Sequence, residues 1–185
     1  IDIIFMTISM IINIFIPNSP VSLWINLFYL FTYTVPTLIF ITSLSILANK
    51  LVKHPIFSWL ILMAFLYLEY NYAATAFYGI LDFQGRLLPN SFSTLIGFMD
   101  LSSFLLHRGV FLLLGISFLY FSVLLMKRLP GIAGRQRYLA VLAMLFLAFS
   151  LCLGFIYIEK YQSRLENRIT CRKAFLKYTE TPKTR

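Results

Sequence analysis

Residues 138–158 read YLAVLAMLFLAFSLCLGFIYI, an apolar run that contains no charged side chain. An α-helix rises 1.5 Å per residue, so about 20 such residues cross the roughly 30 Å hydrocarbon core of a bilayer. This run therefore predicts a helix that spans a membrane. The same criterion applies to the rest of the chain.

The composition of the whole chain is that of a membrane protein. Hydrophobic residues make up 59% of it, and charged residues 12%, against about 25% charged residues in soluble domains. A soluble domain of this length buries about 70% of its unfolded surface, so the apolar excess would be exposed in large patches. Lipid is the expected solvent, and we predict an all-α, polytopic transmembrane helical bundle.

Prolines and basic residues separate four further apolar runs from this one. The predicted spans, about five in all, are residues 3–16, 23–48, 56–75, 109–126 and 138–158. Pro36 lies inside the second span, where its missing N–H and its ring predict a kink or local unwinding within one turn. Because residue 1 lies inside an apolar run, we expect the chain to be part of a longer protein.

Residues 76–108 differ from the predicted spans, because Gly, Pro, Ser and Asn are interleaved with apolar residues. Phe92, Leu95, Ile96 and Met99 recur at helical spacing, and Asp100 is a candidate N-cap. We predict short interfacial helices here, between the third and fourth spans. Residues 159–185 are charged with apolar residues at helical spacing, and they predict a helical tail or linker to a missing domain.

The chain carries a net charge of +9, and its basic residues cluster between the apolar runs. This placement is typical of the positive-inside rule rather than of nucleic-acid binding, so no nucleic-acid partner is expected. The candidate topology determinants on one side are Lys50, Lys53, Lys127, Arg128, Arg135 and Arg137. We expect that side to be cytoplasmic and residues 76–108 to be outside. The basic tail opposes this orientation, but a tail leading into a long translocated domain follows the rule poorly.

Motifs of soluble catalysis are missing from the sequence. It contains no phosphate-binding loop, no helix with two histidines at i and i+4, and no Gly-x-Ser-x-Gly elbow. Cys152 and Cys171 have no metal or redox spacing and are expected to stay unpaired. We predict no enzymatic activity, cofactor or metal for this chain.

Ionisable and polar residues in or near the spans are the functional candidates, because charge is costly in a bilayer. Glu69 is either a carboxylate that reaches the outer interface within an aromatic belt or part of a transport cavity or gate. The candidate transport-path or gate residues are Glu69, Tyr70, Pro36 and Thr37. Hydroxyl side chains of the second span either line a path or bond neighbouring helices and their own backbone. His107 and Arg108 are interpreted as anchors at the membrane interface.

Five stretches carry a resemblance to a known family: TVPTLIF (34–40), LSILANK (44–50), LDFQGR (81–86), RGVFLLLG (108–115) and KRLP (127–130). Together they resemble the permease half of type-2 ABC exporters, in which a kinked span ends in a polar cytoplasmic turn and outer re-entrant helices precede a sixth span. The predicted spans look like the third to sixth spans of such a permease plus one further helix.

The tail is similar to the linker of large bacterial proteins in which such a permease is joined to an extracytoplasmic zinc-aminopeptidase-like domain. The resemblance implies that residues 1–158 are a permease region in the cell inner membrane. It also implies an ABC ATP-binding subunit as partner, which hydrolyses ATP, and a second permease half or a second copy of the chain. The alternative function is a membrane anchor for an extracytoplasmic domain, and it predicts polar residues only at the ends of spans.

Overall fold

A computed structural model describes Ile8, Ile11, Phe15 and residues 23–52, 54–72, 76–85, 88, 92–93, 97–98, 100–126 and 133–180. The α-helices of this part are α1 (Leu23–Tyr29), α2 (Val35–Leu51), α3 (Pro55–Tyr72), α4 (Leu101–Leu124) and α5 (Ala133–Glu180). A π-helical turn (Leu30–Thr34) joins α1 to α2, and a 3-10 helix (Ala76–Gly79) follows α3. Among these residues, strand is limited to a short ladder of β1 (Phe92–Ser93) and β2 (Gly97–Phe98). The predicted all-α class is confirmed.

Three helices in the described part are long and apolar enough to cross a membrane: Leu27–Leu51, Leu101–Leu124 and Gln136–Leu176. The last would be about 60 Å long, twice the hydrocarbon thickness, so part of it must lie outside the lipid. Helix α3 is not among them, because Glu69 and Asn71 lie among tyrosines in its last two turns. The predicted span 3–16 falls outside the described residues, apart from three isolated helical positions.

The distortion expected at Pro36 is present. Pro36 is the second residue of α2, directly after the π-helical turn Leu30–Thr34. Proline has no N–H to donate to the carbonyl of residue i−4, which here is Thr32, so regular α-helical bonding cannot continue through this turn. A π-helical turn shifts the bonding by one residue and keeps the helix continuous.

Helices α4 and α5 pack antiparallel, and two buried serines join them. Ser117 Oγ donates to the carbonyl oxygen of Ala143 at 2.9 Å, and Ser150 Oγ donates to that of Val110 at 2.9 Å. Hydroxyl groups can bond across a helix interface in this way without leaving a polar group facing lipid. These bonds fix the register of the two longest helices.

Helices α2 and α4 run parallel and approach closely at Gly115. The buried Phe40 ring packs edge-on against Phe111, with ring centroids 5.1 Å apart. A Cβ atom on Gly115 would lie 3.0 Å from the backbone of Phe40 and 2.9 Å from the Cγ2 atom of Ile39. A residue without a side chain therefore allows the two backbones to meet.

The structure corrects the prediction for residues 92–108. Phe92–Ser93 and Gly97–Phe98 pair as a short antiparallel ladder, with Phe92 opposite Phe98, where short interfacial helices had been expected. In so short a segment, the same apolar residues fit both the helical period of about 3.6 residues and the strand period of two. Gly97 also disfavours a helix. Helix α4 begins at Leu101 and continues as one helix through Arg108 into the predicted fourth span. The predicted N-cap is confirmed, since Asp100 Oδ1 accepts a hydrogen bond from the Ser103 backbone N–H at 3.3 Å.

The outer faces of α3 and α5 are broadly apolar and exposed. Exposed side chains on them include Ile56, Trp59, Leu60, Met63, Val141, Leu145, Phe149 and Phe155. Soluble monomers rarely expose apolar patches larger than a few hundred Å². These faces therefore suit contact with lipid or with another membrane helix.

Candidate functional site

Arg108 lies inside the helix bundle, with 2% of its surface exposed. Its Nη1 atom donates to the carbonyl oxygen of Phe83 at 2.8 Å and to Thr37 Oγ1 at 3.3 Å. The guanidinium carbon lies 4.3 Å from the centre of the Tyr33 ring, a cation–π distance. Arg108 is seven residues into α4, about 10 Å along the helix axis from its start. The interpretation of Arg108 as an interfacial anchor is therefore wrong.

The segment that Arg108 contacts is a tight turn of non-helical backbone. Gly85 has φ +75°, and its N–H donates to Asp82 Oδ1 at 2.8 Å. The Tyr33 hydroxyl donates to the carbonyl oxygen of Gly85. A Cβ atom at position 85 would overlap the Arg108 guanidinium, so glycine is required both by backbone conformation and by space. Residues 82–85 are thus held against α4 and the π-helical turn.

Asp82 supplies a negative charge to this region. The residue is 1% exposed, and its carboxylate accepts a hydrogen bond from the Gly85 N–H and acts electrostatically on the Arg108 guanidinium. A buried charge needs partners, because desolvation is otherwise prohibitive. Arg108 Nε and Nη2 have no hydrogen-bond partner among the described residues, so the guanidinium retains donors for a further acceptor.

His107 is fully buried next to Arg108 and ties α4 to a second part of the same turn. Its Nε2 atom lies 3.3 Å from the carbonyl oxygen of Gly79, which has φ +79°. Its ring centroid lies 5.1 Å from those of Phe111 and Tyr157, so it also contacts α5. The interfacial-anchor interpretation is wrong for His107 as well. Gly79 and Gly85 mark the two ends of the segment that this polar cluster holds.

The structure divides the four sequence-predicted candidates. Thr37 belongs to the Arg108 cluster, and its hydroxyl also lies 2.8 Å from the carbonyl oxygen of Tyr33, to which it donates. Pro36 is buried one residue before it, beside the π-helical turn. Glu69 and Tyr70 lie on α3, a different helix from the one that carries Thr37 and Pro36. The structure therefore brings Thr37 and Pro36 to the cluster.

Glu69 is 4% exposed, although it lies on a helix whose other side chains are mostly exposed. It follows Phe65 by one turn on the face of α3 that packs inward, and the Phe65 ring lies 5.7 Å from that of Phe83. A carboxylate reaching out to the interface would be exposed, so that interpretation is wrong. Tyr70, the next residue, is 72% exposed and points away from the interior.

The hydroxyl side chains of the second span mostly bond their own backbone. Thr32, Thr37 and Thr42 donate to the carbonyl oxygens of residues i−4, and Ser43 donates to residue i−3. This satisfies the hydroxyl groups within the helix. Of these, Thr37 is the residue that also accepts a hydrogen bond from another element, at Arg108.

Two of the six predicted topology determinants, Lys50 and Arg137, have described side chains. Lys50 lies in the last turn of α2, and Arg137 is in the second turn of α5. Because α2 runs parallel to α4 and α4 runs antiparallel to α5, both residues lie at the same end of the bundle. Both are exposed. Lys53, Lys127, Arg128 and the Arg135 side chain lie outside the described residues.

The sequence did not predict that Arg108, His107 and Asp82 lie together inside the bundle. One signal was present, because Asp100 as N-cap starts the helix at Leu101 and so places Arg108 two turns inside it. Asp82 had no such signal, since only the folded turn brings it to α4.

Comparison of the chain with protein-family models, with curated proteins and with solved structures finds no match. The fold and the cluster define an all-helical protein suited to a membrane, with charged side chains buried between its helices.

Proposed function

We propose that this chain is the permease segment of an ABC-type export complex in the cell inner membrane. It then has about five spans and moves substrate with ATP hydrolysed by a partner subunit. The observation that carries the proposal is the burial of Arg108 inside the membrane-length helix α4, in contact with the non-helical turn at Phe83. Ionisable side chains within membrane spans typically mark substrate or ion pathways.

The turn at residues 79–85 supports the same proposal. Non-helical backbone at membrane depth is tolerated where protein or a water-filled cavity surrounds it. Here Arg108 and Tyr33 bond its carbonyl oxygens, and it directly precedes the segment leading to α4. Its place in the chain agrees with the outer re-entrant element that the sequence resemblance implies before a late span.

The proposed complex assigns different partners to the two ends of the bundle. The end with Lys50 and Arg137 would be cytoplasmic by the positive-inside rule, and it would face the ATP-binding subunit. The exposed apolar faces of α3 and α5 would contact lipid and a second permease half or a second copy. The turn at residues 79–85 would lie on the outer side.

One observation favours the alternative, a membrane anchor for an extracytoplasmic domain. Helix α5 continues from its apolar part through the charged tail to Glu180. An uninterrupted helix would hold an attached domain at a fixed distance from the bundle. The alternative does not account for the buried charges of Arg108 and Asp82, because an anchor needs no polar groups within its spans.

Purification of the full-length protein from native membranes tests the proposal. We expect an ATP-binding subunit to co-purify and the reconstituted complex to hydrolyse ATP in a manner stimulated by substrate. Thr37→Val, which removes the hydroxyl that Arg108 contacts while keeping the side-chain shape, should change that stimulation. Thr42→Val on the exposed face of α2 is the matched control. If no ATP-binding subunit co-purifies from membranes that contain this protein at its native level, the result would support the membrane-anchor function instead.

A further inference from the structure

A cavity of about 250 Å³ lies between the start of α4 and the charged extension of α5. Its walls include Ser103, Tyr157, Tyr161, Arg164, Leu165 and Arg168. The cavity adjoins the Arg108 cluster at Tyr157, whose ring lies 5.1 Å from that of His107, but Arg108 itself does not line it. Its chemistry is independent of the exporter assignment. The cavity lies beside the first turn of α4, which Asp100 caps. This is also where the apolar part of α5 ends and its charged extension begins.

One wall of the cavity is strongly basic. Lys160, Arg164, Arg168 and Arg172 follow one another at four-residue spacing and therefore form one stripe along α5. Like charges at this spacing repel and destabilise a helix. Among the described residues, only Arg164 in this stripe has an ion pair, with the Asp100 carboxylate. The two arginines that line the cavity thus carry more positive charge than the protein neutralises.

The remaining walls add a polar hydrogen-bonding group and apolar area. Ser103 is 1% exposed, and its Oγ atom has no hydrogen-bond partner among the described residues. The Arg164 guanidinium lies 6.0 Å from the centre of the Tyr161 ring, and Leu165 lies beside them. A buried hydroxyl with no partner is costly unless a ligand or water satisfies it.

We propose that this cavity binds a phosphate-bearing anion. A guanidinium group presents paired N–H donors that match two phosphate oxygens. Arg164 uses Nη1 for Asp100 and Nε for the carbonyl oxygen of Lys160, so of its five N–H donors those on Nη2 remain. Arg168 adds the uncompensated charge, and the Ser103 hydroxyl adds a third donor. Tyr157 and Leu165 cover the less polar part of the ligand. The phosphate belongs either to the headgroup of an anionic lipid or to a soluble phosphate compound.

Binding to the full-length protein in detergent tests this proposal. The probes are phosphatidylglycerol and phosphatidylcholine, followed by native mass spectrometry, and inorganic phosphate, followed by calorimetry. The variant is Arg168→Gln, and the matched control is Arg172→Gln, one turn further along the same stripe and outside the cavity. Loss of one charge-assisted contact should weaken binding about tenfold in Arg168→Gln and leave Arg172→Gln close to the parent protein.

The results separate the two sources of phosphate. If the protein binds phosphatidylglycerol in preference to phosphatidylcholine, and only Arg168→Gln weakens that binding, the site is supported and its ligand is a lipid. If the protein binds inorganic phosphate, and only Arg168→Gln weakens that binding, the site is supported and its ligand is a soluble phosphate compound. Equal binding of the two lipids without phosphate binding, or equal loss in both variants, overturns the proposal, because the stripe would then act only through its overall charge.

Discussion

The Nη1 atom of Arg108 lies 2.8 Å from the carbonyl oxygen of Phe83, so a cation of helix α4 bonds the backbone of a turn 25 residues earlier in the chain. The Phe83 ring is itself fully buried and lies 5.6 Å from the Phe40 ring and 6.4 Å from the Phe111 ring. The charged contact and the aromatic core therefore meet at one residue. Disturbing either should disturb the packing of α2 against α4.

Arg108→Gln should destabilise the protein, because it removes a buried cation and leaves the nearby Asp82 carboxylate without that compensation. Removing one partner of a buried charge pair costs about 3–5 kcal/mol. We expect a lower thermal midpoint of the detergent-solubilised protein, measured by size-exclusion chromatography after heating. Arg137→Gln, on an exposed residue at the other end of the bundle, should have little effect. Equal midpoints for the two variants would show that Arg108 is not held as described.

Gly85→Ala should also be destabilising, for reasons of backbone and space. The left-handed conformation of Gly85 is unfavourable for alanine by roughly 1 kcal/mol, and the added methyl group would displace the Arg108 guanidinium. Gly109→Ala is the control, because its Cβ would make an ordinary 3.6 Å contact with Leu153. Thermal midpoints of the two variants should differ clearly, and a stable Gly85→Ala protein would contradict the geometry of the turn.

Gly115→Ala tests the close approach of α2 and α4. The new methyl group would meet the Phe40 backbone at 3.0 Å, where no side-chain rotation can relieve the contact. Overpacking of this kind costs about 1–3 kcal/mol. Unfolding followed in increasing denaturing detergent should show the loss. If Gly115→Ala is as stable as Gly109→Ala, the two backbones do not approach this closely.

Glu69→Ala should lower the free energy of unfolding far more than Tyr70→Ala. Glu69 is 4% exposed, and disturbing the bonding of a buried polar group costs about 1–3 kcal/mol, whereas substitutions at exposed positions usually stay within about 0.5 kcal/mol. Glu69→Gln keeps the side-chain shape and separates folding from transport. Normal expression with altered ATPase stimulation would indicate a role in the transport path. Unchanged stimulation at normal expression would remove Glu69 from that path.

The orientation in the membrane is tested by labelling with an impermeant thiol reagent. Cys152 and Cys171 are both exposed and would first be replaced by serine. In that background, Gln162→Cys lies at the end of the bundle that contains Asp100, and Asn49→Cys lies at the opposite end. We expect the reagent to label position 162 in intact cells and position 49 only after permeabilisation. The reverse pattern would invert the proposed topology.

The sequence alone predicted helices long and apolar enough to cross a membrane, and much of the helical structure. Residues 138–158 can satisfy their backbone groups in lipid only as a helix, so their apolar length was sufficient for that prediction. Pro36 and Asp100 act on the backbone within one turn of themselves, and the expected distortion and N-cap are both present. Such effects depend on neighbours in the chain, which a sequence shows directly.

The tertiary structure decided which polar residues lie inside. Arg108 and Glu69 each lie near the end of an apolar run, where a sequence cannot distinguish an interfacial side chain from an inward-facing one. That choice depends on helix rotation and on the turn at residues 79–85, whose two positive-φ glycines bring Asp82 and Phe83 to α4. The partners are 25 or more residues apart, and their energetics arise from desolvation and close packing, which appear only when the helices assemble.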